Sequence, residues 1–481
     1  MTVTEYDSLF IGGRWSKPST NKVISVMSPS TGLHLGAVPE AVETDVDRAV
    51  RAARTAFDSA SGWSTWEPAR RAAAMVRLAD ALDARKEEMA TRVSAQNGMP
   101  ISVAGPFEAT VPAGLLRYYA GVLQDAHFEE QRQGLPIGTT LVRREPLGVV
   151  AAIVPWNFPQ VLAFFKMAPA LAAGCTLVLK PSPETVLDSY LLAEAIAEAG
   201  LPEGVINIVP GGRATGAYLV SHPGVDKVSF TGSTAAGRQI AAACGQLLRP
   251  VTLELGGKSA AIILDDADLP GSVDQLFAAS LLNNGQTCFA STRILAPRSR
   301  YDEVVDFYTT MAESATVGDA LDPATQVGPL VSSRQRDRVE SYIAKGLNEG
   351  ARLTAGGARP VGLETGWFVE PTVFADVDNA STIAQEEIFG PVLSIIRYDG
   401  DNDAVSIAND SAYGLGGTVW SADPNRALGI AKRIRTGTIG LNGYLPDLTS
   451  PYGGMKASGL GRELGPEGLA AFQQFQSIYH P

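Results

Sequence analysis

Apolar residues recur along this chain with two different periods. Between Thr44 and Phe57 the positions Val46, Ala49, Val50, Ala53 and Phe57 follow helical spacing, and the same spacing predicts a second, longer helix over Glu67 to Val93, ended by Gly98-Met99-Pro100. From Leu147 the pattern changes to short apolar runs: Val149 to Val154, Thr176 to Leu179, Val205 to Val209, Val225 to Phe230 and Val251 to Leu255. Helical stretches separate them, and this alternation predicts a parallel, doubly wound α/β sheet. A second α/β region is expected from Lys258 onward, with a strand over Ala260 to Leu264, a helix over Gly271 to Asn283 and a strand over Thr292 to Ala296. The segment Gly134 to Glu145 alternates in Thr139-Thr140-Leu141-Val142-Arg143-Arg144 and is too small to fold alone, which predicts a hairpin interrupting the first region. No internal repeat or low-complexity linker is present.

Composition narrows the functional classes. The 481 residues, 45% of them hydrophobic, can bury a large core, and length alone suggests about three domain-sized units. A formal charge of −12 without any long Lys/Arg run argues against a nucleic-acid surface and favours small-molecule chemistry. Cys175, Cys244 and Cys288 are too few for a disulfide framework, which fits a reducing, cytoplasmic compartment. The polar stretch Met1 to Asp7 lacks an apolar signal core, and runs such as Leu147 to Pro155 are too short to span a bilayer, so a soluble, unprocessed protein without membrane partners is expected. The sequons at Asn379 and Asn409 then carry no meaning. His34, His127, His222 and His480 are scattered without ligand spacing, so no metal site is expected.

Three segments carry complementary chemistry. Asn157 lies in Pro155-Trp156-Asn157-Phe158-Pro159, Glu254 in Leu253-Glu254-Leu255-Gly256-Gly257-Lys258, and Cys288 in Asn284-Gly285-Gln286-Thr287-Cys288. A thiolate adds to a carbonyl, an amide donor holds the oxyanion, and a carboxylate activates water to hydrolyse a thioester. Cys288 follows the turn-forming Asn283-Asn284-Gly285 and is expected on a loop with its sulfur accessible, whereas Cys175 and Cys244 read as core residues. Glu254 sits in a β-like apolar run, where burial raises a carboxyl pKa toward the operating pH. Its plainer reading is a sheet-end Glu paired with Lys258, and Asn157 alone reads as a turn cap.

Taken together, these segments resemble the NAD(P)-dependent aldehyde dehydrogenase superfamily, in its hydrolytic, non-acylating branch, from about Ile11-Gly12-Gly13 to the C-terminus. The resemblance implies two doubly wound α/β domains, a Rossmann-like cofactor domain over 1–124 and 147–255 and a catalytic domain over 256–466. A small β element over 125–146 and 467–481 would join subunits into a homodimer or homotetramer. It implies Cys288 as nucleophile, Glu254 as the base for the deacylating water, and the Asn157 amide with the Cys288 backbone N–H as oxyanion hole. Glu463, in the glycine-rich Gly453-Gly454-Met455-Lys456-Ala457-Ser458-Gly459-Leu460-Gly461-Arg462-Glu463, would relay protons with Lys166.

No Gly-X-Gly-X-X-Gly fingerprint occurs. Instead Phe230-Thr231-Gly232-Ser233-Thr234-Ala235-Ala236-Gly237 follows a predicted strand and opens a predicted helix, whose N-terminal N–H groups can accept a pyrophosphate. The resemblance makes Gly232, Ser233 and Gly237 cofactor residues, together with Trp156, Lys180, Ser182, Gly212, Leu255, Gly256, Glu387 and Phe389. The family's usual Lys-Pro-X-Glu departs here to Lys180-Pro181-Ser182-Pro183-Glu184, with Pro183 where the ribose-binding carboxylate is expected. That loss removes a barrier to a 2′-phosphate, and Arg213 would add attraction, so NAD is the expected cofactor with NADP as a second candidate.

By alignment the substrate tunnel is lined by Phe158, Val161, Leu162, Phe165, Thr287, Phe289 and Tyr452, which favours an apolar aldehyde, aliphatic, terpenoid or aromatic. Arg293 reads as structural rather than as an anchor for a carboxylated substrate. The competing readings are a cofactor-independent thiol esterase and a non-catalytic binding protein on the same fold.

Overall fold

A strand that is apolar on both faces must be covered on both faces, and Val149–Ile153 meets that condition. In the computed structural model, which describes residues 3–135 and 137–480, every residue of Val149–Ile153, Thr176–Lys180 and Lys227–Thr231 is buried. Met1, Thr2, Pro136 and Pro481 lie outside the described residues, and with them parts of the acidic N-terminal stretch, the Gly134 to Glu145 segment and the C-terminal tail.

The first sheet has eight strands in the order Gly459–Leu460, Val251–Glu254, Lys227–Thr231, Val149–Ile153, Thr176–Lys180, Ile206–Ile208, Leu9–Ile11 and Arg14–Ser16. The five from Val251–Glu254 to Ile206–Ile208 are parallel. The chain winds outward from Val149–Ile153 in one direction and then restarts on its other side with Lys227–Thr231. Ligands of open α/β sheets bind beyond the carboxyl ends of the strands at such a reversal. Period-two alternation puts Val228 and Phe230 against Leu253 and Leu255 on one face. Lys227, Ser229 and Thr231 occupy the other face, toward Pro159–Ala173, a helix buried at every residue and apolar on every side apart from Gln160 and Lys166.

A second sheet of seven strands follows: Arg352–Ala355, Thr372–Ala375, Val392–Tyr398, Arg293–Pro297, Ala260–Ile263, Gly417–Trp420 and Gly440–Leu441, parallel apart from the first pair. Both expected doubly wound α/β units are therefore present. The expected hairpin is found as well, although its first strand, Glu129–Gln133, begins before Gly134. Its second strand, Thr139–Pro146, pairs on the other side with Gln473–His480, so the C-terminal tail and the hairpin make one three-stranded sheet.

One expectation is corrected. The helix read over Glu67 to Val93 is two helices, Pro68–Asp83 and Lys86–Asn97, parted at Ala84 and Arg85. Arg85 leaves helical geometry (φ −113°, ψ 9°), and its guanidinium returns to the Ala81 carbonyl at 3.0 Å and to Glu198 at 2.6 Å. Leu82 and Met89 stand at i and i+7, so the apolar stripe stays in phase across the break and carries no sign of it. The strands before Val42 and the π-helical stretch Gly105–Thr110 had no signal in the apolar periodicity. Among the described residues, no helix is long and apolar enough to cross a membrane.

Candidate active site

Asn283, Asn284 and Gly285 all take left-handed backbone conformations (φ 50°, 61° and 71°), and this turns the chain sharply between the helix Val273–Leu281 and Cys288. For the two asparagines such a conformation costs of order 1–3 kcal/mol each. Their side chains offset it. Asn283 Nδ2 donates to the Asn157 carbonyl at 2.8 Å, Asn284 Nδ2 to the carbonyls of Gly98 and Pro329, and Asn284 Oδ1 accepts from Gly328 N at 2.6 Å. Gln286 Oε1 accepts from Val331 N at 3.0 Å. Gly285 has no room for a side chain, since a Cβ there would lie 2.3 Å from the Gly390 carbonyl oxygen. Gly285→Ala is expected to lower the thermal midpoint by several degrees and turnover by an order of magnitude or more, because both the close approach and the positive φ are violated just before the sulfur. A melting curve and a rate measurement on the same sample check it.

Asn157 Nδ2 donates to the Gln286 carbonyl at 3.0 Å, so the amide expected to hold an oxyanion is tied to the Cys288 loop itself. Cys288 is half-buried, while Cys175 and Cys244 are buried as expected. Burial pushes the Cys288 thiol up to about 12; Glu387 and Glu254 oppose its ionisation, and a hydrogen bond from Tyr452 favours it.

Glu254 ends the strand Val251–Glu254 and is 2% exposed, and neither carboxyl oxygen has a hydrogen-bond partner. Burial first, then the charge of Glu463, holds its carboxyl well above the usual range, with Lys166 and Arg462 pulling it back. It is not paired with Lys258, whose buried amine has no hydrogen-bond partner among the described residues. The glycine-rich C-terminal segment makes room for it, since a Cβ on Gly453 would meet Glu254 Oε1 at 2.6 Å. Lys166 and Glu463 form a fully buried ion pair at 2.6 Å, with Lys166 Nζ also donating to Thr231 Oγ1 and Ser229 Oγ donating to Glu463. Arg293 is structural: its guanidinium donates to the carbonyls of Lys258, Ile407 and Ala408 and to Asn379.

Two cavities meet at Cys288. The first, a cleft of about 280 Å³ at the winding reversal, is lined by Trp156, Gly232, Ser233, Leu255, Gly256, Glu387 and Phe389, all expected on the cofactor side. Glu387 Oε1 accepts from Gly257 N at 2.9 Å, and burial pushes its carboxyl up to about 7. Phe389 stands edge-on to Trp156 at 5.2 Å. Ser233 caps the helix Thr234–Gln246 by accepting from Ala236 N. Gln335 and Arg338 complete the cleft and hold its far wall, donating to the carbonyls of Phe389 and Glu387. Both sit on the helix Ser333–Asn348 and carry no local motif, so sequence reasoning missed them.

The other expected cofactor residues lie away from the cleft wall. Lys180 Nζ donates to the Pro181 carbonyl at 2.8 Å, and burial pushes its amine down to about 8. Ser182 donates to Glu184, which Arg334 also holds at 2.8 Å. Gly212 caps the helix Arg213–Ser221, and Gly237 packs on Leu255.

The second cavity, about 550 Å³, contains all seven expected tunnel residues: Phe158, Val161, Leu162, Phe165, Thr287, Phe289 and Tyr452. Phe107, Val111, Leu282, Leu445, Pro446 and Leu448 extend its apolar wall. Leu282 lies in the expected helix Gly271 to Asn283, and the others lie in segments for which the apolar pattern gave no reading. Its one charged lining residue is Asp447, which Ser450 and Thr449 hydroxyls hold ionised. Cys288 and Asn157 line both cavities.

The chain is similar to known proteins over nearly its whole length. Residues 15–478 match the model of the aldehyde dehydrogenase family. The chain is 58% identical over 479 residues to the geranial dehydrogenase of Castellaniella defragrans, covering 100% of this chain and 99% of that one. It is 44% identical to a 3-succinoylsemialdehyde-pyridine dehydrogenase of a Pseudomonas species, covering 98% of each. A crystal structure of a Mycobacterium tuberculosis aldehyde dehydrogenase complexed with NAD+ superposes with a TM-score of 0.97 at 52% identity, over 100% of this chain and 99% of that one. With a thiol at the junction of a switch-point cleft and an apolar tunnel, and with these likenesses end to end, the chain belongs to the aldehyde dehydrogenase family.

Proposed function

We propose that this enzyme oxidises an apolar aldehyde of about terpenoid size to its carboxylic acid, with NAD, through covalent catalysis at Cys288. The observation that carries the reading is that Cys288 and Asn157 border both cavities. A substrate entering by the tunnel and a cofactor entering by the cleft would meet at one sulfur. Cys288 as thiolate attacks the aldehyde carbon, and the oxygen that becomes negative is held by the Asn157 amide and the Cys288 backbone N–H. NAD held by the cleft residues would supply the acceptor for the hydride that leaves that carbon. Glu254 takes a proton from water as it attacks the resulting thioester, and the Lys166–Glu463 pair passes the proton on.

The cleft residues suit a dinucleotide. The N-terminus of Thr234–Gln246 beside Gly232 and Ser233 can take the pyrophosphate, and the Glu387 carboxylate can take ribose hydroxyls. Glu184, anchored by Arg334, supplies near Lys180 the carboxylate that Pro183 lacks, which favours NAD. Arg213 is exposed and bonded to Gln239. Arg213→Ala is expected to raise KM for NADP about two- to fivefold, the scale of one exposed charge, with NAD unaffected. Tighter NADP use in that variant would remove Arg213 from the account.

The tunnel volume lies within the ~300–1,000 Å³ of small-molecule sites. Its walls carry no cation, and Asp447 repels an anionic tail. This supports geranial-like aldehydes over carboxylated ones, in line with the 58% identical relative. On this reading 1–124 with 147–255 serve the cofactor, 256–466 carry the catalytic chemistry, and 125–146 with 467–481 join copies into a dimer or tetramer. The three free cysteines fit a cytoplasmic setting. Reduced-cofactor formation with NAD or NADP and a panel of terpenoid, aliphatic, aromatic and carboxylated aldehydes tests the proposal. Ester turnover independent of nicotinamide, with no aldehyde oxidised, would replace it by the thiol esterase reading.

A further inference from the structure

We propose that Tyr452 is a further catalytic residue, whose hydroxyl donates a hydrogen bond to the Cys288 sulfur and holds it as the attacking thiolate. The inference rests on Cys288 being the nucleophile. The hydroxyl lies 3.4 Å from Sγ and, among the described residues, is the one side chain hydrogen-bonded to it. Tyr452 has little freedom to turn away. It is 5% exposed, its ring meets Phe165 edge-on at 5.9 Å, and its backbone is bonded in both directions to Glu463, at 2.7 and 2.8 Å.

The surroundings make this donor matter. Glu387 on the opposing loop and Glu254 on its strand both disfavour a thiolate, and the Tyr444 phenol also faces the sulfur. Hydrogen bonds from Tyr452 and from the Phe289 backbone favour its charged form. A thiolate has no proton to give, so in the reactive state only the phenol can be donor. Tyr452 is itself faced by Cys288, Tyr444 and Glu254, and burial holds its phenol well above the usual value, so it keeps its hydrogen throughout the working range. No proton passes between the two. With a thiol far above neutral, each unit of lowered pKa gives tenfold more thiolate and roughly threefold less nucleophilicity per thiolate, a net gain of roughly threefold.

Tyr452→Phe keeps the ring and removes the donor. The rate of iodoacetamide alkylation of Cys288, followed against pH by mass mapping of its peptide in the full-length protein, is expected to shift toward higher pH by about one unit. The rate near neutral pH should fall roughly threefold, and kcat/KM should fall alongside it with KM for apolar aldehydes little changed. Phe165→Leu, which loosens the ring packing but keeps the hydroxyl, is expected to change KM and leave the alkylation profile in place. A Tyr452→Phe profile that overlays the wild type overturns the proposal. So does a displacement of equal size in Phe165→Leu, which would assign the effect to packing. Because alkylation reads the thiol without turnover, this failure is distinct from that of the nucleophile reading, which Cys288→Ala tests.

Discussion

Cys288→Ala is expected to lower steady aldehyde oxidation by about 10⁴-fold or more, the scale on which a covalent nucleophile is lost, while NAD binding stays within roughly twofold. The asymmetry follows from the position of the sulfur. Cys288 is one lining residue among many in the cleft, whose Glu387, Phe389 and helix N-terminus do not depend on it, yet it is the group at which cleft and tunnel meet. Absorbance of reduced nicotinamide measures the first quantity and fluorescence titration with NAD the second. Turnover retained within roughly tenfold would mean that the carbonyl is attacked by something else, and the covalent mechanism would fall.

Glu254→Gln is expected to separate the two halves of the reaction. One equivalent of cofactor should still be reduced rapidly per active site, after which steady turnover drops by about 10²- to 10⁴-fold and acyl-enzyme accumulates. Burial and the charge of Glu463 hold the Glu254 carboxyl well above its ordinary range, so the pH at which it becomes able to act as base is raised with it. The basic form grows as pH rises. Deacylation-limited turnover of the wild type should therefore climb with pH until the carboxyl is ionised, and the residual rate of the glutamine variant should lose that rise. Mass spectrometry of the quenched enzyme detects the acyl adduct. Unchanged steady turnover would remove Glu254 as the base.

How much of this was legible beforehand depended on the range of the interactions. The parallel strands could be read because runs such as Val149–Ile153 are short and apolar, a local property of the chain. Cys288, Glu254 and Asn157 could be singled out because each sits in a short segment whose chemistry is unusual. What could not be read is what depends on distant partners. The break at Ala84 and Arg85 is tied to Glu198, and the apolar stripe runs through it in phase. Gln335 and Arg338 gain their place from carbonyls on a loop about fifty residues away, at separations of 54 and 49. The strand end points the Glu254 carboxylate toward Gly453, a residue 199 positions on, rather than toward the nearby Lys258. The Tyr452 contact with the sulfur is likewise a matter of 3.4 Å across 164 residues.

The pairing of Thr139–Pro146 with Gln473–His480 also sets a timetable for the newborn chain. Arg143 and Gln476, which touch across it, are 333 positions apart. At ~5–20 residues per second the ribosome needs roughly 17 to 67 seconds to deliver the second strand after the first has emerged. Throughout that interval one edge of the hairpin is open and able to template pairing with another chain. Arg143, Arg144 and Glu145 on the waiting strand, and Glu129, Glu130 and Arg132 on its neighbour, place charge where an intruding apolar strand would have to settle. The strand Gln473–His480 thus closes the open edge of that sheet, and removing it is expected to show first as aggregation during synthesis rather than as altered catalysis.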